Sequence, residues 1–85
     1  MNYKSKEPLK EFKLLFKNKK YKDLEFSLDK FLIENSENKE ALLLHSIVCR
    51  RLMKFADAEK SIIKLINLDP ENPYFYAVYG ELLFY

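Results

Sequence analysis

One glycine, three prolines, one cysteine and no tryptophan occur in the 85 residues. Each scarcity removes options. With Gly80 alone, the chain has no glycine-rich loop to cradle a phosphate. So few turn formers argue against many short strands and for helices joined by brief connections. Cys49 has no partner for an intrachain disulfide, and with His45 the sole histidine it lacks company for a metal site. No apolar run approaches the roughly 18 residues that cross a bilayer. The lysine-bearing start, MNYKSKEPLKEF, leads into no unbroken apolar segment, so no secretory signal is read and a reducing, cytoplasmic setting is expected.

What is present suits a folded domain. Apolar residues make up 48% and charged residues 33%, which excludes a disordered tail. The length suits one domain, 1–85, in which every apolar position counts toward a small core. Net charge is only +2, but residues 1–22 hold eight lysines against Glu7 and Glu11, and the remainder carries a net −4. Such asymmetry attracts anionic partners to one end.

Apolar spacing is helical almost throughout. Stripes run through Leu9, Phe12, Leu15 and Phe16; through Leu24, Leu28, Phe31 and Leu32; through Leu42, Ser46, Cys49 and Leu52; through Ala58, Ile62, Leu65 and Ile66; and through Tyr76, Tyr79, Gly80 and Leu83. Five helices are predicted, at 8–18, 21–35, 39–52, 55–68 and 73–84. Asn38 and Asn72 are placed to cap the third and fifth, with Pro73 in a first turn where no amide donor is missed. Pro70 ends the fourth by removing a donor and restricting Asp69. Connections this short predict antiparallel hairpins.

The hairpins repeat. Set over FADAEKSIIKLI (55–66), the stretch YKDLEFSLDKFL (21–32) matches Asp23, Glu25, Ser27 and Lys30 to Asp57, Glu59, Ser61 and Lys64. It also keeps Leu28 on Ile62 and Phe31 on Leu65. Glu37 and Asn38 then fall on Glu71 and Asn72, so NLDPENP and IENSENK close units of 34 residues. A helix–turn–helix unit of that period resembles the tetratricopeptide repeat. FADAEKSIIKLINLDPEN resembles the family's second helix and terminal turn: Phe55 takes its aromatic position, Ala58 its small crossing position and Pro70 its closing proline. Leu42, Ser46 and Cys49 stand at the large, small and usual aromatic positions of the first helix, and Tyr76, Gly80 and Leu83 recur there one unit later. In the first unit those places hold Pro8, Phe12 and Leu15, and Phe12 in place of a small residue implies a looser or altered crossing. Lys19 and Met53 stand where the family has a glycine.

The resemblance implies an all-α fold, a right-handed superhelix of antiparallel hairpins with about two and a half repeats: 5–38, 39–72 and an incomplete 73–85. Leu24, Leu28, Ser46, Ala58, Ile62, Pro70, Tyr76 and Gly80 would pack the repeats. It implies a scaffold without catalysis or cofactor, whose concave face holds a peptide or helix of another protein. Inward positions by analogy are Lys6, Leu9, Lys13 and Lys17; Glu40, Leu43, Leu44, Ile47, Arg50 and Arg51; and Tyr74, Ala77, Val78 and Glu81. The carboxylate clamp by which some members hold chaperone tails is not expected, because its places carry Leu9, Lys13, Leu44, Tyr74 and Val78. An apolar centre with a basic end suits a partner with apolar anchors and some acidic residues.

Sharper chemistry is weaker. His45 and Cys49, four apart, could share a metal, but no second pair accompanies them, and no orienting acid is evident for a His–Cys catalytic pair. Asp23 with Glu25, and Asp57 with Glu59, diverge on a helix and suit its N-terminal dipole. The first helix is a basic amphipath that an anionic membrane or nucleic acid would accept, yet its apolar stripe is required for stacking, and the aromatics are not interleaved with the lysines as base stacking demands. Six of the 13 aromatics fall in 73–85, so that helix is expected to be covered by further chain, a second copy or a partner. Two other readings stay open: the repeat region of a longer, transferase-type enzyme, and a small basic protein binding nucleic acid or anionic membrane.

Overall fold

A computed structural model describes residues 8–84. Within them lie five helices, α1 (Pro8–Lys17), α2 (Tyr21–Glu34), α3 (Lys39–Arg51), α4 (Phe55–Leu68) and α5 (Pro73–Leu83), and no strand. Each boundary falls within a residue of the periodicity's prediction. None of these helices is long and apolar enough to cross a membrane. The expected Lys6 lies outside the described residues.

The connections alternate between two kinds, and the alternation keeps the interval of the sequence repeat. Lys19 and Met53 take left-handed backbone, φ 60° and 66°. At the first, the Lys20 amide donates to Leu15 O and the Lys19 amide to Phe16 O; at the second, Lys54 donates to Cys49 O and Met53 to Arg50 O, at 2.8–3.0 Å throughout. Both are Schellman closures, which satisfy the last carbonyls of α1 and α3. The other kind ends in an asparagine cap. Asn38 Oδ1 accepts from the Ala41 amide and Asn72 Oδ1 from the Tyr74 amide, each at 2.9 Å, with Pro73 in the first turn of α5. The residues that precede α2 and α4, Lys20 and Lys54, share nearly the same torsions, as do Asn35 and Asp69 that end them.

Each helix packs on the next, and α1 also touches α3. Two clusters form the core. Phe12, Leu24, Leu28, Ala41 and Val48 join α1, α2 and one side of α3. Leu42, Cys49, Ala58, Ile62, Leu65, Phe75 and Leu82 join its other side to α4 and α5. The central α3 therefore buries two adjacent stripes: Ala41 and Val48 face back, Leu42 and Cys49 face forward. Phe12 is buried and meets Phe31 edge-on, ring centroids 5.4 Å apart, so the large residue at the crossing is absorbed by an aromatic contact.

On α5 the buried stripe differs from the predicted one. Phe75 and Leu82 enter the core, while Tyr76 and Leu83 are 48% and 61% exposed. Phe75 and Leu82 are the counterparts of Ala41 and Val48 one repeat earlier, so α5 faces back as α3 does. Tyr76 and Gly80 were expected to pack; Tyr76 is exposed, and Gly80 is half-buried with nothing within 4 Å of a Cβ built on it.

Candidate functional site

The three odd-numbered helices meet around one cleft of about 220 Å³. Phe16 comes from α1; Ser46, Ile47, Arg50 and Arg51 from α3; Tyr74, Val78, Glu81 and Leu82 from α5; Ile62 of α4 closes the floor. That volume sits below the range of drug-sized pockets and suits one or two anchoring side chains.

Of the residues expected along the inner face, the cleft brings together Ile47, Arg50, Arg51, Tyr74, Val78 and Glu81. Others are placed elsewhere. Leu9 and Leu44 pack against the Phe12–Leu24–Leu28 cluster, and Leu43 against the Leu42–Ile62–Leu65 cluster. Their apolar side chains are taken up by the hairpins, because α1 and α3 must each bury a stripe wider than a single row. Lys13 and Lys17 are exposed on α1, and Ala77 is exposed on α5. Lys13 Nζ lies 3.1 Å from Glu40 Oε2, which pairs α1 with α3 and offsets part of the basic end.

Arg51 is held by its neighbours. Its guanidinium donates to Tyr21 Oη at 2.8 Å and lies 5.4 Å from the Phe16 ring centroid and 5.7 Å from that of Tyr21. Such stacking fixes the planar fork at the α1–α2 corner.

A polar relay that sequence spacing did not reveal crosses the other side of α3. His45 Nε2 donates to Asp29 Oδ1 at 2.8 Å, and its Nδ1 shares a hydrogen bond of 2.6 Å with the Ser61 hydroxyl. Cys49 Sγ lies 3.6–3.8 Å from the same ring. Asp29, His45 and Ser61 come from α2, α3 and α4, too far apart along the chain for any helical period to link them. A faint signal existed in Ser61, one of the residues duplicated between the units. Acid, imidazole and hydroxyl in a row resemble a hydrolytic triad in composition. Ser61, however, is buried in mid-helix, where the backbone amides are committed to the helix's own ladder and offer no oxyanion donors. The arrangement satisfies buried polar atoms and ties three helices together. Burial pushes the Cys49 thiol up to about 12, with Glu25, Asp57 and Asp29 adding to the shift, so the sulfur stays protonated and poorly nucleophilic. Among the described residues no group of three or more histidine, cysteine and carboxylate side chains is placed to hold a metal.

No protein-family model matches the chain, and neither curated proteins nor solved structures give a significant match.

Proposed function

We propose that this protein is a tetratricopeptide-like scaffold, a right-handed solenoid of about two and a half repeats that holds a segment of another protein between α1, α3 and α5. The observation that carries the reading is the cleft at the junction of alternate helices. Its support is the regular recurrence of caps, Schellman closures and core positions from one hairpin to the next, which is the signature of a stacked hairpin array. Ile47 and Val78 give the cleft an apolar lining. Arg50 and Arg51 add positive charge, and Glu81 on α5 breaks that field. A helix or extended strand with one or two apolar anchors, beside an acidic residue directed at α3, fits this chemistry. Nothing in the reading requires catalysis or a cofactor.

The test is affinity capture with mass spectrometry, comparing the wild type with Ile47→Glu/Tyr74→Glu. Leu43 is left unchanged because it is partly buried against the Leu42–Ile62–Leu65 cluster, where a new carboxylate would be destabilising. The variant should keep its helical circular dichroism and melting temperature while losing specific partners. Recovery of the same partners by both proteins would overturn the cleft. So would binding to DNA or anionic vesicles that collapses between low and high salt and is indifferent to both substitutions.

A further inference from the structure

Several cations join distant parts of the chain through carboxylates: Lys13 meets Glu40 at 3.1 Å, Lys39 meets Asp69 at 3.7 Å and Lys54 meets Glu25 at 2.7 Å. Arg51 differs. Among the described residues no carboxylate pairs with it. Its guanidinium is held instead by the Tyr21 hydroxyl and by the rings of Phe16 and Tyr21, which are 5.7 Å apart and tilted by 52°. The phenol takes one N–H, and among the described residues none of the others meets an acceptor. A guanidinium stacked and anchored in this way has given up rotamer freedom before any ligand arrives, so less is lost on binding. Its planar fork matches a carboxylate bidentately.

The cleft that Arg51 lines sets the charge of such a ligand. Its walls carry Arg50 and Arg51 against Glu81, a single net positive charge, and the lysines of the α1–α2 turn are not among them. Ile47 and Val78 beside it are apolar. Attraction rises in proportion to a ligand's charge, whereas the cost of removing its hydration rises with the square. One net charge in a partly apolar cleft therefore suits a monoanion better than a dianionic phosphate.

We propose that Arg51 is a preformed subsite for one carboxylate, that of an aspartate or glutamate on the held segment, next to the apolar side chain that enters between Ile47 and Val78. Phe16 and Tyr21 are its positioning residues, and Glu81 limits the charge the cleft accepts. The subsite rests on the α1–α3–α5 cleft as the seat of a partner segment, and the two are tested separately.

The probe is acetyl-leucyl-glutamyl amide, titrated into isotope-labelled protein by NMR beside its glutaminyl and phosphoseryl counterparts. The glutamyl probe should bind saturably, with a Kd on the order of 1 mM, and shift the amides of Ile47, Arg51 and Val78. The glutaminyl probe should bind about tenfold more weakly, the scale of losing a charge-assisted hydrogen bond. The phosphoseryl probe should also bind more weakly than the glutamyl one, and Glu81→Gln should narrow that gap. Arg51→Lys keeps the charge but loses the fork, so it should bring the glutamyl probe to the glutaminyl level. Tyr21→Phe should reduce the ratio of those two affinities while the melting temperature stays close to wild type. Affinity capture with Arg51→Lys should lose the partners that Ile47→Glu/Tyr74→Glu loses. Equal affinity for the glutamyl and glutaminyl probes would overturn the subsite and leave the apolar cleft standing. Absence of saturable binding, as when further chain already fills the cleft, would overturn it too. Tighter binding of the phosphoseryl probe to the wild type would overturn the carboxylate. Partners retained by Arg51→Lys, with the glutamyl probe still needing Arg51, would make a free acid the occupant and overturn the segment.

Discussion

Lys19 and Met53 hold left-handed backbone, φ 60° and 66°, which costs a side-chain-bearing residue about 1–2 kcal/mol relative to glycine. Both side chains reach solvent, Met53 at 72% exposure, so little packing opposes their removal. Glycine also enlarges the unfolded ensemble, an opposing effect of about 0.4–1 kcal/mol. Lys19→Gly and Met53→Gly should therefore each stabilise the fold by about 0.5–1 kcal/mol in urea titrations, and together roughly additively, the sites lying in different closures. A loss on either substitution would show that the side chain contributes more than its exposure suggests. That Lys19 and Met53 stand at the same place in the two units was legible in the sequence. That both adopt left-handed backbone was not, because neither residue type favours that conformation. The Asp29–His45–Ser61 relay was illegible for another reason. Its three members meet only when α2 and α4 flank α3.

Helix by helix, the packing turns on where small residues sit. Ala58 is fully buried in the cluster that joins α3, α4 and α5, whereas Ala56, half a turn away, is exposed. Ala58→Leu should lower stability by about 1–3 kcal/mol through overpacking, while Ala56→Leu should stay within about 0.5 kcal/mol of wild type. Thermal unfolding of the two variants checks this, and equal losses would contradict the packing of α4. Element existence and ends were readable because the signals are local: asparagine caps, Pro73, and apolar spacing at the helical period. The stripe on α5 was not. Two apolar rows run along that helix, Phe75–Leu82 and Tyr76–Leu83, and periodicity alone cannot rank them. Contact with α3 and α4 selects the first.

For the molecule as a whole, alkaline pH is the informative stress. The buried Cys49 thiol is pushed up to about 12 from an ordinary 9.0. Above pH 9 the unfolded chain gives up this proton and the folded chain keeps it, so stability falls as pH rises, by at most about 1.4 kcal/mol per pH unit from this group. Lys54 is also shifted upward, through its hydrogen bond with Glu25. Its favourable charge is present below its ordinary range and is lost as pH rises through the folded value, the same direction. Tyr79, raised by its bond to Glu59, adds to the trend. Melting temperatures recorded from pH 8 to pH 10.5 should fall progressively, and Cys49→Ala, referred to its own value at pH 8, should fall less; identical slopes would remove the thiol as the cause. The number of helices, their caps and the interval of the repeat were written in the order of residues, since turns, caps and helical stripes act over a few positions along one chain. Which of two neighbouring stripes is buried, which leucines leave the cleft for the core, and how Asp29, His45 and Ser61 come together were decided only by folding, because each depends on contacts between helices distant in sequence that no local pattern encodes.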